Sequence, residues 1–321
     1  MKGIFFSTIL FFFTIFLVMF ISSQRMLISF YSSQKSVENR INSMIGFYES
    51  IVFDSKKSME IIGRRAISAA INYIISNGQP LNSSNNTIVE LMLEGTLDGV
   101  EQGLMESSTI RDWKNTIEYL GGLQGFKTDV SIEDMFVQQS DSFYLLISYS
   151  IFVNISDTIT QTNISKSSRE QSLLSIENLE DPIYPLSTYG RVVNVIRKSP
   201  HWMNYSSEDL SNLIDDLEKS YYHPSLYGAS FLDRLEGKYF LQEKYAKENP
   251  VGLESFVNKD KILLSGLPIN ISETNIDYLY FSRTGVLAYS VSGMPQNFRL
   301  DNETSIESKG HLQIYNVSVI E

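Results

Sequence analysis

Residues 4–21 read IFFSTILFFFTIFLVMFI, an apolar run softened only by Ser7, Thr8 and Thr14. Hydroxyls of this kind bond back to a carbonyl of their own helix. About 20 apolar residues cross a bilayer as a helix, so the run suffices with Gly3 and Ser22 at its edges. Beyond it the pattern changes. Val37, Ile41, Met44, Tyr48, Ile51, Ser55, Met59, Ile62, Ala66, Ala69 and Tyr73 recur in steps of four and three. This heptad-like stripe stutters once, at Ser55. It predicts a long amphipathic helix that packs on its own domain or on neighbouring copies. Asn77-Gly78-Gln79-Pro80 stops it. Residues 25–36 are Ser-rich, a poor helix sequence, so both a break there and one continuous helix of about 70 residues stand open.

A polar loop is expected over 81–87, and short helical pieces over 88–95 and 97–105. Thr109 caps a further helix over 110–121, with Trp113, Ile117 and Leu120 on one face and Gly121, Gly122 and Gly125 breaking it. From Phe126 the period becomes two. FKTDVSI alternates, 142–154 reads as a buried strand, Ser156-Asp157 turns it, and 159–176 returns as a more polar strand. Asp181-Pro182 and Tyr184-Pro185 punctuate the chain, and a domain boundary is expected near 178–190.

After it, 191–196 reads as an apolar strand or short helix. Ser206 or Ser207 caps a helix over 208–220. Candidate strands follow at 261–264, 276–281, 285–292, 298–300 and 311–319. The expected fold is α+β. A membrane anchor covers 1–24, and a long helix packed on an antiparallel sheet covers 25–180. A second α+β domain with C-terminal strands covers 190–321.

Composition narrows the class. The 321 residues are 43% hydrophobic and 12% aromatic, which describes a folded chain. The net charge is −11, and no run of Lys or Arg exceeds two. Contacts to a phosphate backbone need basic patches, so nucleic acid is not an expected partner. There is no cysteine. That excludes thiol catalysis, Cys-zinc sites and iron–sulfur clusters, and it fits a prokaryotic surface protein better than a secreted eukaryotic ectodomain. Asn-x-Ser/Thr occurs at Asn82, Asn85, Asn154, Asn163, Asn204, Asn270, Asn302 and Asn316, all beyond the anchor. These are candidate N-glycosylation sites on an external body, although a chain rich in Asn, Ser and Thr also makes such triplets by chance.

Candidate chemistry is sparse. His201, His223 and His311 show no metal-ligand spacing and read as surface or turn histidines. Asp215, Asp216 and Glu218 read as a solvated acidic face. Asp233 and Glu236 flank Arg234 and read as its partners in a structural ion network. No Gly-x-Ser-x-Gly elbow is present. No catalytic, cofactor-binding or metal residue is assigned, and the chain is not expected to be an enzyme.

Lys2-Gly3 followed by Ile4-Phe5-Phe6 and the apolar helix resembles the class III signal of archaeal type IV pilins and archaellins. The resemblance implies cleavage between Gly3 and Ile4 by a prepilin peptidase. It also implies one long helix backed by an antiparallel sheet. IGRRAISAAINYI, ELMLEGTL and IENLEDPIY look similar to archaeal surface proteins associated with pilin-like genes. The likeness covers roughly residues 1–180. Thr8 stands where many bacterial type IV pilins carry a glutamate. The chain is also larger than a typical major pilin, which points to a minor or accessory member. The implied partners are the membrane, the peptidase and other pilin-like subunits met through the N-terminal helix. The implied place is the cell membrane, or a surface filament, with the body outside the cell. Two rivals stand beside this: a membrane-anchored surface glycoprotein or binding module that never polymerises, and a surface hydrolase. A plain anchor and a signal peptide cleaved after the helix, near Ser23, are the alternatives for the N-terminus.

Overall fold

The structure, a computed structural model, describes residues 2–241, 250–302 and 310–319, with the side chains of 2–9, 29 and 33 outside that description. It is a mixed helical and sheet chain that divides into two compact units. The first comprises residues 1–54, 114–131 and 152–167. The second comprises 55–113, 132–151 and 168–321. The boundary expected near 178–190 is not where the units divide. Inside the second unit, residues on either side of it are joined: Leu81 N–H donates to Leu235 O, and Ser84 Oγ donates to Glu236 Oε1. Pro-containing punctuation bends a chain without separating cores.

Helix α1 (Lys2–Asn77) is one uninterrupted element of 76 residues, about 110 Å at 1.5 Å per residue. Of the two alternatives at 25–36, the helix runs through without a break. Helix propensity is a weak prior, and extending a formed helix costs far less than nucleating a second one. Serines elsewhere in α1 are satisfied locally: Ser43 and Ser50 donate to the carbonyls of Asn39 and Gly46. Thr14 donates to Leu10 O and Phe11 O, as its place in the apolar run predicted. Leu10, Phe11, Phe12, Phe13 and their apolar neighbours through Ile21 stand 37–68% exposed. Among the described residues α1 is the one helix long and apolar enough to cross a membrane. Gly78, in the left-handed region at φ 65°, ends it.

In the first unit the stripe of α1 goes under cover from Met44 onward, with Phe47 and Ile51. Helix α3 (Ile110–Leu123) brings Ile117 to this core. Thr109 and Asp112 form a reciprocal capping box at its start. Gly121 does not break α3. It lets the helix lie against Thr128, whose Oγ1 would be 2.2 Å from an added Cβ. Gly125, at φ 77°, marks the turn that follows. The rings of Phe47 and Phe126 meet at 5.9 Å, with the Arg40 guanidinium 4.6 Å from the Phe126 centroid. Arg40 also donates to both carboxylate oxygens of Asp157, Nη2 at 2.5 Å and Nε at 3.1 Å. Hydrogen bonds from Arg40, Thr160 and Ile159 hold the Asp157 carboxyl well below the usual carboxylate range. A carboxyl lowered in this way stabilises the fold above its ordinary value of 3.8. That stability is lost as pH falls through the folded value. Arg40→Ala is therefore expected to move acid unfolding to higher pH, by about half a unit, in a titration followed by circular dichroism.

Strands β3 (Phe126–Asp141), β4 (Tyr144–Asp157) and β5 (Asn163–Ser175) form a three-stranded sheet in the order β3-β4-β5, and all three contribute residues to both units. The buried alternation of Phe126, Thr128 and Val130 follows the period of two, and β4 buries Leu145, Ile147, Tyr149 and Ile151. In the second unit Gly63 of α1 faces Ile147 and Leu174, whose methyl carbons would lie 2.7 and 3.0 Å from a Cβ there. Ser55, the stutter, is buried and meets the Tyr149 hydroxyl at 2.9 Å. Arg64 donates to the carbonyls of Ser175 and Glu177.

Helix α2 (Ser84–Glu94) starts inside the expected loop, because Ser83 caps it by accepting from Asn86 N–H. A small hairpin follows, β1 (Thr96–Leu97) with β2 (Val100–Glu101), where a helical piece was expected. The remainder of the unit is built of short pieces. α4 (Ile183–Thr188) is followed by 191–196, which form neither helix nor strand beyond a bridge from Glu180 to Val195. α5 (Ser211–Lys219) begins later than expected, since Ser206 and Asp209 are spent on turns with Glu208 and Ser211. β6 (Tyr222–Ser225) pairs antiparallel with β7 (Gly252–Ser255), after α6 (Phe231–Leu235). β8 (Ala288–Ser290) pairs antiparallel with β9 (Arg299–Asp301). These two lie in or beside two of the expected strands.

Three other expected strands are helices: α7 (Lys259–Leu264), α8 (Asp277–Ser282) and α9 (His311–Ile314). Short apolar runs carry no decisive period. α8 buries four consecutive residues, Asp277 to Tyr280, so no alternation betrays its geometry. α7 is started by the Asn258 side chain accepting from Lys261 N–H. Around these elements Phe256, Tyr278, Phe298, Leu300 and Tyr315 form an apolar core.

Candidate functional site

The second unit gathers its titratable side chains into two buried networks. The first is centred on Arg234 of α6, which has no exposed surface. Its Nη1 donates to Asp181 at 2.5 Å and to Asp277 at 2.8 Å. Nε donates to Ala229 O, and Nη2 to Leu253 O. Asp181 also accepts from the Tyr222 hydroxyl, and Asp277 accepts from Ser255 Oγ. Burial disfavours the guanidinium's charge, but the two carboxylates outweigh that, and Arg234 is held above its ordinary value. The expected ion network is real, but its members differ. Ser230 caps α6 by accepting from Asp233 N–H, and its hydroxyl donates to the Asp233 carboxylate; Glu236 accepts from Ser84 and Lys238. Neighbours at i±1 and i+2 on a helix point away from one another, so Arg234 turns to partners far off in sequence.

The second network joins two of the three histidines. Asp216 of α5 accepts from Ser199 Oγ and from the Tyr205 hydroxyl, and meets His223 Nε2 of β6 at 2.8 Å. His223 Nδ1 lies 3.0 Å from the Tyr315 hydroxyl, which donates to Glu254 of β7 at 2.5 Å. Glu254 lies 3.6 Å from His311 Nε2, and His311 Nδ1 lies 2.9 Å from both Asp301 oxygens. Trp202 stacks on the His223 ring at 5.2 Å. Burial opposes a charge on His311, but Asp301 and Glu254 outweigh it and raise the imidazole well above its ordinary 6.5. Burial likewise opposes ionised Glu254 and Asp301, and His311 outweighs it, so both are lowered. Tyr315 is raised far by burial and keeps its proton.

His223 and His311 are thus not surface or turn histidines, and Asp216 is not part of a solvated face. Asp216 shares the buried side of α5 with Leu213 and Leu217, three and one positions away, while Glu218 faces solvent. Nothing in the local sequence reports this. The one faint signal is that Asp216 falls on the helical repeat of two leucines. His201, Asp215 and Asp216 offer ligand atoms within 4.8 Å of one another. Those atoms already have protein partners: Asp215 meets His201 and Lys219, and both Asp216 oxygens accept from Ser199. A cation would have to displace them, so the donor set supports no metal assignment. Among the described residues, His223, His311, Asp216 and Asp301 at the centre of this network are all 0% exposed, while Trp202 and Tyr205 at its edge are half-buried. What this arrangement does chemically is hold β6, β7, β9 and α9 together.

The candidate glycosylation sites separate by exposure. Asn82, Asn163, Asn204, Asn270, Asn302 and Asn316 are exposed. Asn85 is half-buried in α2 and accepts from Val137 N–H, and Asn154 is half-buried in β4 and accepts from Ser165 Oγ. Gly3 and Ile4 belong to the first turns of α1, with side chains outside the described set. No protein-family model, curated protein or solved structure matches the chain.

Proposed function

We propose that the chain is a membrane-anchored, extracytoplasmic pilin-like protein of the minor or accessory kind, acting in surface filament assembly or adhesion. The observation that carries this reading is α1 itself. From Leu10 to Ile21 it exposes its apolar side chains, and from Met44 to Ile74 one stripe of it is buried, with Ile51, Met59, Ala66 and Ala70. Eleven large apolar side chains lie exposed between Leu10 and Ile21. At roughly 1.5 kcal/mol or more each, their burial is worth at least as much as the whole net stability of an ordinary domain. Such a surface requires a bilayer, the apolar helices of other subunits, or each in turn. In this reading a prepilin peptidase cuts between Gly3 and Ile4, and the bilayer holds the helix until assembly.

The second reading keeps the anchor and drops the filament: a surface glycoprotein or binding module. The large body and its exposed Asn-x-Ser/Thr sites favour it. Sequencing the N-terminus of the mature protein separates the two. A start at Ile4 is expected. An intact Met1, or a start near Ser23, overturns the pilin-like reading and leaves the second.

A further inference from the structure

The second unit carries a cleft of about 710 Å³ formed by the C-terminal ends of α4 and α8 and the loop that contains Pro268 and Asn270. That volume falls within the range of small-molecule sites, roughly 300–1,000 Å³. Its walls combine the aromatic Tyr189, Tyr239 and Phe281 with aliphatic side chains. Its polar groups include Glu273, Asn270 and Arg283. Tyr189 is 80% exposed at the rim.

Two of these residues sit in a backbone conformation their side chains do not favour. Tyr189 caps α4 at φ 54°, ψ 41°, and Arg283 caps α8 at φ 52°, ψ 44°. Left-handed caps are ordinarily glycine or asparagine, because a Cβ there is strained. Six of the other eight described non-glycine residues with positive φ are Asp, Asn or Ser. Here a tyrosine and an arginine take the strain, and both face one cleft. Strain of this kind persists where the side chain has a task.

We infer that this cleft binds a pyranose unit of a polysaccharide. A sugar ring presents an apolar C–H face, which stacks on an aromatic side chain, and a rim of hydroxyls. Glu273 accepts from such hydroxyls, and the forked guanidinium of Arg283 donates to two neighbouring ones. Among the described residues the Arg283 side chain forms no ion pair and no hydrogen bond to protein, and Glu273 is held in place by Asn270 Nδ2 at 2.9 Å. A purely apolar ligand would strip water from these groups without replacing it. A free anion would meet the Glu273 carboxylate. A peptide that binds by adding a strand needs an open strand edge, and helix ends supply none. The source of the sugar, a neighbouring surface or matrix, rests on the extracytoplasmic reading; the binding itself does not.

The test uses the full chain in detergent micelles, made in a host that attaches no N-glycans, so that Asn270 carries none of its own. Saturation-transfer NMR is run with cellohexaose, mannohexaose, chitohexaose and xylohexaose, all uncharged, and separately with a proline-rich decapeptide. Transfer to the ring C–H protons of at least one sugar is expected. Tyr189→Gly and Arg283→Gly each weaken it by about tenfold without lowering the melting midpoint, because glycine relieves the cap. Leu264→Ser, 87% exposed and outside the cleft, leaves it unchanged. No transfer to any of the four sugars overturns the proposal. So does transfer that survives both glycine variants, or transfer to the decapeptide alone. None of these outcomes depends on where the mature N-terminus begins, so this proposal and the pilin-like reading fail separately.

Discussion

Arg234→Met is expected to lower the unfolding free energy of the detergent-solubilised chain by about 3–5 kcal/mol. The loss has two parts. Methionine fills most of the space but offers no donor to Asp181, Asp277, Ala229 O or Leu253 O. The larger part is the two carboxylates left together with no cation, both 0% exposed. Burial already pushes the Asp277 carboxyl up against the pull of Arg234. Without Arg234, the Asp277 carboxyl loses the pull that opposes its burial and is raised further. A triple variant, Arg234→Met with Asp181→Asn and Asp277→Asn, is expected to recover much of the loss, since neutral partners impose no charge burial. Chemical denaturation reads both. A single variant within about 1 kcal/mol of the parent would mean that packing, not this network, holds the segment.

The second large effect is a dependence on pH. His311 is raised well above its ordinary 6.5, so its contribution is complete below that value and is lost as pH rises through the folded value. Glu254 and Asp301 are lowered from 4.5 and 3.8, so theirs is complete above those values and is lost as pH falls. The His311 cluster therefore stabilises most between the ordinary carboxylate and imidazole values, and weakens on the alkaline side by an amount on the order of 1–3 kcal/mol. His311→Leu inverts the acid limb. The two buried carboxylates, now without a cation, are raised instead, and the variant gains stability as they take up protons. Melting midpoints measured across the pH range for parent and variant decide this. Parallel curves would show that the imidazole is not charged in the fold.

How much of this was legible follows from how local each feature is. The membrane-length apolar run, the stripe through Ser55, the stop at Gly78 and the β4 strand each depend on residues within a few positions of one another. Composition and period carry them without help. The C-terminal region behaves otherwise. Its elements are three to nine residues long, and several are buried on more than one side, as in α8, so helix and strand leave the same apolar run. The Gly121 position shows the same limit. A glycine in a helix reads as a break, and only the approach of Thr128 explains why it is a spacing device.

The polar networks were the least visible part, for a physical reason. A buried charge is tolerated only beside its partner, and those partners come from anywhere in the chain. Arg234 finds Asp181 and Asp277, and His311 finds Glu254 and Asp301. The sequence by itself determined a membrane-length apolar helix, a long amphipathic continuation and a sheet of alternating strands, because hydrophobic period and length are local quantities. Only the tertiary structure decided that α1 runs unbroken through its Ser-rich stretch, where the compact units divide, and which acids and histidines are buried together, because cooperativity, packing and charge pairing act between residues that the sequence keeps far apart.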